Sequence, residues 1–197
     1  MNYIILIILG YLIGSIPCSY LVSRMLGHID IREHGSGNSG ATNVFRTLGK
    51  KAGIYAFIGD FLKGLLAAVI GRYILGEEGA LLCSTFAVLG HCYPFTIAFK
   101  GGKGVATTIG MIFGINPLIG IVLIGVQIVI IAITRYMSLA SIISAAMFPL
   151  IVLLMAKESY FLYYSIFLGL FVIYRHRLNL ARLLNGSEKK LVLKQNK

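Results

Sequence analysis

Four polar stretches of this chain carry residue types that could do chemistry. The first is Gly35-Ser36-Gly37-Asn38-Ser39-Gly40-Ala41-Thr42-Asn43, followed by Arg46. Glycines let backbone N–H groups approach an anion, hydroxyl and amide side chains add donors, and Arg46 adds a two-pronged guanidinium. A plain loop between helices is the alternative, yet such a loop has no need of two asparagines, a threonine and an arginine. The second stretch runs Gly90-His91-Cys92-Tyr93-Pro94-Phe95 into Lys100-Gly101-Gly102-Lys103-Gly104. Two lysines among three glycines, ahead of an apolar helix, place cations and helix-terminal N–H groups where a phosphate binds. It is not a nucleotide P-loop: Val105-Ala106 follows the last glycine, and no strand precedes. His91 reads either as an interfacial histidine with its hydrogen bonds satisfied or as part of the site.

The third stretch, Asp60-Phe61-Leu62-Lys63-Gly64, puts two opposite charges three residues apart inside an apolar run. They share a helix face, where they neutralise each other or touch a substrate. The fourth is Arg175-His176-Arg177-Leu178-Asn179, then Arg182, Asn185-Gly186 and Glu188. His176, Asn179 and Leu183 fall on one helical face, with Arg175 and Arg182 on another. A basic helix lying on anionic lipid accounts for the arginines but not for His176, Asn179 or Glu188.

The elements that must hold these stretches are apolar. Of 197 residues 57% are apolar and 13% charged, against roughly 45–50% and about 25% in ordinary globular domains. Mean hydropathy is +0.85, and Gly104 to Thr134 contains no charge. This composition excludes a cytosolic globule, a disordered chain and a secreted disulfide scaffold. Cys18, Cys83 and Cys92 read as small hydrophobes. The scattered carboxylates and cysteines offer no metal site, no cofactor motif is present, and no nucleic acid is expected as a partner.

Apolar runs of crossing length lie at Tyr3–Ser23, Ala52–Tyr73, Ala80–Phe99, Tyr136–Ala156 and Ser159–Tyr174. The first is read as a retained span and not a cleaved signal, because no basic residue precedes it and Pro17 stands before Cys18. Between Gly104 and Thr134 the run is either one long helix or two, broken at Asn116-Pro117. Charge decides between them. With two helices there, one side receives Arg24, Arg32, Arg46, Lys50, Lys51, Lys100, Lys103, Arg135, Arg175, Arg177, Arg182, Lys189, Lys190, Lys194 and Lys197. The other receives only Arg72 and Lys157, whereas a single helix would divide the charges almost evenly. Basic loops stay cytoplasmic. The expected fold is therefore an all-α integral membrane bundle of seven helices, a single membrane-embedded domain over 1–197. Its N-terminus lies outside, its C-terminus is cytoplasmic, and its fourth helix is short. Glu77-Glu78 and Lys157-Glu158 make short outer turns.

In this order and topology the motifs resemble the bacterial membrane family of acylphosphate:glycerol-3-phosphate acyltransferases. The resemblance spans nearly the whole chain. It rests on the Gly35–Asn43 stretch with Arg46, Asp60–Gly64, Gly90–Phe95 with Lys100–Gly104, Ser138-Leu139-Ala140-Ser141, and Arg175–Asn179 with Arg182–Glu188. It implies transfer of a fatty acyl group from acyl phosphate to the sn-1 hydroxyl of glycerol 3-phosphate, giving lysophosphatidic acid and inorganic phosphate. By position, it implies that Ser36, Arg46 and Lys103 hold glycerol phosphate and that His176 and Asn179 orient its hydroxyls. The backbone around Gly40, Thr42 and Gly102 would receive the acyl phosphate, and Glu188 would steady the tail. Gly37, Asn38, Asn43, His91, Lys100, Gly101 and Gly104 complete the expected substrate-binding set. A monomer in the bacterial inner membrane, with its site on the cytoplasmic side, is expected.

The inventory of side chains fits an activated donor. No histidine has an aspartate five positions on, and there is neither a Gly-x-Ser-x-Gly elbow nor a Cys-His-Asp set. Two other readings share the cationic stretches: a carrier for an organic phosphate, and a structural protein gathering anionic lipid. A carrier needs a polar path to both faces, and the outer side is almost bare of polar motifs. A lipid anchor would accept lysine for Arg46, which a bidentate site would not.

Overall fold

The computed structural model describes residues 1–156 and 159–191. Lys157-Glu158 and the tail lysines Lys194 and Lys197, which the charge pattern used, lie outside the described residues. The chain forms two compact units, Met1–Ile115 and Asn116–Lys197.

The first unit contains α1 (Asn2–Gly14), α2 (Cys18–Gly27), α3 (Ala41–Leu48), α4 (Lys50–Cys92) and α5 (Val105–Ile115). One-turn 3₁₀ helices lie at Ile31–Glu33 and Phe95–Ile97. The single span expected over Tyr3–Ser23 is broken into α1 and α2. Pro17 has no N–H to continue the ladder, so the chain turns at Ser15–Pro17 and starts again at Cys18. Carbonyls at the break find side-chain donors: Thr96 Oγ1 donates to Ser15 (2.6 Å) and Lys63 Nζ to Ile16 (2.8 Å). The two spans expected at Ala52–Tyr73 and Ala80–Phe99 are the legs of α4, which folds back at Leu75–Gly76. The second leg ends at Cys92, seven residues short of the expected Phe99, because Pro94 forces an extended turn.

Helix α5 is short, 11 residues or about 16 Å, as the broken run required. It compensates by close packing on α4. A Cβ at Gly64 would overlap the Thr107 carbonyl, and one at Gly110 would overlap the Phe61 carbonyl. Only glycine lets the two backbones meet there, which is how helices gain contact where burial of apolar surface drives little association.

The second unit contains α6 (Pro117–Thr134), α7 (Met137–Met155), α8 (Ser159–Arg175) and α9 (Arg177–Leu184). Asn116 caps α6 by accepting from the Ile119 N–H (3.2 Å), with Pro117 at the first helical position. The break expected at Asn116-Pro117 is therefore present. Helices α7 and α8 pack through Phe148 against Phe161, edge to face at 6.0 Å, and through Gly169 against the Ala145 carbonyl. Among the described residues four stretches are long and apolar enough to cross a membrane: Asn2–Gly27, Lys50–Ile97, Pro117–Thr134 and Met137–Met155. Val105–Ile115 and Tyr160–Arg175 are shorter apolar helices. Cys83 and Cys92 are buried, as expected of small hydrophobes, whereas Cys18 is only half-buried.

Candidate active site

The first glycine-rich stretch is pinned from both ends. Asp30 accepts the Arg32 backbone N–H at 3.0 Å and pairs with the Arg32 guanidinium at 2.6 Å. These bonds from Arg32 hold the Asp30 carboxyl down at about 2. Arg32 also lies over the Tyr20 ring at 5.1 Å and donates to the Ile97 carbonyl at 3.1 Å. At the other end, Asn43 enters from the first turn of α3. Its Oδ1 accepts the Ser36 N–H (2.8 Å), and its Nδ2 donates to the carbonyls of Ile31 (3.1 Å) and His34 (2.9 Å). Asn43 is buried, with its amide engaged on backbone. It therefore shapes the turn that presents Ser36, Gly37 and Asn38. Ser36 and Gly37 are exposed, while Asn38, Gly40, Thr42 and Arg46 are half-buried.

The second stretch is tied to the first. Ser39 Oγ donates to the Lys100 carbonyl at 2.9 Å, so the two glycine-rich turns meet within one unit. Behind Lys100 the chain lies flat on His91. The Gly102 N–H donates to the His91 carbonyl (3.2 Å), a Cβ on Gly101 would overlap that same carbonyl, and one on Gly102 would overlap the ring at Nε2. Gly101, Gly102 and Gly104 are buried, Lys103 is half-buried and Lys100 exposed. Gly104, at φ +87°, turns the chain directly into α5. The N–H groups of the first α5 turn, which lack intrahelical acceptors, thus begin immediately after Lys103.

Beneath this turn the charges of the third stretch pair with each other, one of the two readings their spacing left open, Lys63 Nζ to Asp60 Oδ1 at 2.9 Å. Two further groups join them. Ser19 Oγ donates to Asp60 Oδ2 (2.7 Å), and His91 Nδ1 lies 3.3 Å from Asp60 Oδ1. A narrow crevice reaches this cluster, lined by Ser39, Asp60, Lys63, His91, Gly101 and Gly102 among others.

The fourth stretch belongs to the second unit. Glu188 is buried and accepts from Ser138 Oγ, Asn179 Nδ2 and Arg182 Nε, each at 2.8 Å. Burial alone would raise the Glu188 carboxyl. The hydrogen bonds from Arg182, Asn179 and Ser138 outweigh it and hold the group below its ordinary range. The tail is fastened further by the Leu191 N–H on the Arg135 carbonyl (2.7 Å) and by Lys190 over the Tyr136 ring (5.5 Å). His176 is buried, with Nδ1 2.8 Å from the Val172 carbonyl. A carbonyl only accepts, so Nδ1 carries a proton.

Because the Glu188 carboxyl is depressed in the folded chain, its stabilisation is fully present above about pH 4.5 and falls away as the pH drops below that. Glu188→Gln turns an acceptor toward the Arg182 donor into a donor, a change expected to remove about 1–3 kcal/mol. The thermal midpoint in detergent is expected to fall between pH 6 and pH 4 in the native chain, and to fall less in Glu188→Gln. Equal pH slopes would contradict this.

Residues that sequence reasoning missed are Ser19, Asp30 and Arg32. Asp-x-Arg spacing signalled the last two. Ser19, a lone serine in an apolar helix, gave no signal.

The sequence profile of the glycerol-3-phosphate acyltransferase family matches residues 4–186. The chain belongs to this family. Glycerol-3-phosphate acyltransferases of Syntrophomonas wolfei and Clostridioides difficile are 47% and 43% identical to it, over 94% and 96% of this chain and 95% and 96% of theirs. Crystal structures of PlsY (YgiH), an integral membrane glycerol 3-phosphate acyltransferase, are similar throughout. The glycerol 3-phosphate form has TM-score 0.92 at 39% identity, covering 98% of this chain and 96% of that one. The lysophosphatidic acid form has TM-score 0.90 at 38%, covering 98% and 97%. This glycerol-3-phosphate acyltransferase family member is thus an all-helical integral membrane protein, and the carrier and lipid-anchor readings fall behind the enzyme.

Proposed function

We propose that this chain moves a fatty acyl group from an acyl phosphate to the sn-1 hydroxyl of glycerol 3-phosphate. The observation that carries the reading is the Ser39–Lys100 hydrogen bond, which joins two glycine-rich, cation-bearing turns at the N-terminus of α5. Ser36, Arg46 and Lys103 hold the phosphate of glycerol 3-phosphate. The backbone around Gly40, Thr42 and Gly102 receives the donor phosphate, with Gly37, Asn38, Lys100 and Gly104 completing the lining. Asn43 and His91 act by shaping these turns. For the second unit taken by itself, His176 and Asn179 are assigned to hydroxyls of the glycerol moiety, and Glu188 fastens the tail. Each unit's contribution is a separate claim, tested by its own variants.

The chemistry needs little beyond position. The hydroxyl oxygen attacks the acyl carbonyl, a tetrahedral oxyanion forms, and the bond from the carbonyl carbon to the phosphate oxygen breaks. The leaving phosphate accepts the hydroxyl proton and departs as inorganic phosphate, so no protein base is required. A mixed anhydride is already activated, and the rate gain comes from orientation and stabilisation of charge. The basic bias of the loops supports seven crossings with the N-terminus outside, which puts the turns at the cytoplasmic face of a bacterial inner membrane. There the acyl chain enters from lipid and glycerol 3-phosphate from the cytosol. The working unit is a monomer.

The test is donor choice. Purified protein in detergent is given glycerol 3-phosphate with either palmitoyl phosphate or a palmitoyl thioester, and lysophosphatidic acid and phosphate are followed. Product from the acyl phosphate alone, with one phosphate released per product, is expected. Product from the thioester at a comparable rate would overturn the donor assignment.

A further inference from the structure

We propose that Asp60 is a positioning residue for the two phosphate sites, acting through His91 on the Gly101–Gly102 turn that leads to Lys103. The proposal rests on the assignment of that turn to substrate.

Asp60 and Lys63 lie in the first leg of α4 and His91 near the end of the second, and all three are buried, Asp60 at 1% exposure. A buried ion pair in an apolar helix is poor evidence of stability, because an apolar pair of similar volume packs as well or better. What it supplies is direction. The Asp60 carboxylate has three groups around it, on Ser19, Lys63 and His91, and its two oxygens divide them: Oδ2 takes Ser19, Oδ1 takes Lys63 and His91. With Nδ1 3.3 Å from Oδ1, the carboxylate favours the flip of the His91 ring that keeps Nδ1 on its side. The opposite edge of that ring, at Nε2, is the surface on which Gly102 lies, and the His91 carbonyl receives the Gly102 N–H. Lys63 carries the same network to the Ile16 carbonyl, so the α1–α2 break is held in register as well. A ring free to rotate would let the turn drift, and a displacement of about 1 Å at a site built on oriented donors can lower rates by about 10²-fold.

The deciding variant is the double substitution Asp60→Asn with Lys63→Met, which removes both charges together and leaves no unpaired ion in the helix. Initial rates are measured over both substrates in detergent, beside a melting curve. A native-like melting temperature is expected, with KM for glycerol 3-phosphate and KM for the acyl donor both raised about tenfold, because the turn carries Gly102 toward the donor and leads to Lys103. A residue that served folding alone would lower the active fraction, hence kcat, and leave both KM values unchanged. That result overturns the proposal. Should the double variant not survive solubilisation, Ser19→Ala decides, since it keeps both charges and removes one bond to Oδ2. It is expected to raise KM for glycerol 3-phosphate about threefold, and no rise overturns the proposal. Lys103→Ala separates the two levels of the argument. If it leaves KM for glycerol 3-phosphate at the native value, the turn was wrongly assigned. If it raises that KM and the Asp60 variants do not, the positioning role is wrong.

Discussion

Arg46→Ala is expected to lower kcat/KM for glycerol 3-phosphate by about 10²–10³-fold while the chain still inserts and melts normally, from the loss of two charge-assisted bonds. Arg46 lies in the last turn of α3, a helix fixed by the buried Asn43 and Val44 rather than by Arg46 itself. Removing a half-buried guanidinium from its flank leaves those anchors in place. Arg46→Lys sharpens the test. A lysine keeps the charge but has no planar fork, so most of the loss should persist if Arg46 grips a phosphate through two parallel bonds. Full activity in Arg46→Lys would return the arginine to the role of a general basic surface, the lipid-anchor reading. Saturation kinetics of both variants over glycerol 3-phosphate distinguish these outcomes.

Gly101→Ala is the second large effect. The new methyl would overlap the His91 carbonyl, a backbone atom near the end of α4 that has no rotamer to move. The turn must yield instead, and with it Gly102, Lys103 and the start of α5. A shift of about 1 Å predicts a loss of about 10²-fold in kcat/KM for glycerol 3-phosphate. The melting temperature is expected to change less than the kinetics do. Gly102→Ala meets the His91 ring rather than backbone, and a ring can tilt, so the smaller loss is expected there. Native kinetics in Gly101→Ala would mean that the turn does not touch substrate.

Much of the fold was legible because a membrane helix announces itself by length and apolarity. The legs of α4, the short α5 and the break before Pro117 all follow from apolar runs and prolines. The α1–α2 break was not read, since one proline near Cys18 leaves a run of crossing length intact. Helix α3 was hidden for another reason: its eight residues are mixed in character and follow glycines and serines that read as loop. At the site, residue type pointed to the stretches expected to bind anions but not to what each side chain touches. Asn43 looked like a substrate donor in sequence, yet its partners are the backbone of Ile31, His34 and Ser36, up to 12 residues away. The pairing of Asp60 with Lys63 was visible at three residues' spacing. Its contacts with Ser19 and His91 depend on α4 folding back and on α2 restarting beside it, and no local pattern encodes either. Glu188 was expected to steady the tail. The structure adds its partners, one of which, Ser138, lies 50 residues away.

The central claim is that the two turns joined by Ser39 and Lys100 grip glycerol 3-phosphate. Hydrogen exchange of the purified protein in detergent, with and without saturating glycerol 3-phosphate, addresses it most directly. Slower exchange in peptides covering 35–40 and 100–104, lost in Arg46→Ala, is the expected result. Unchanged exchange in both peptides, with protection confined to other parts of the chain, would contradict it.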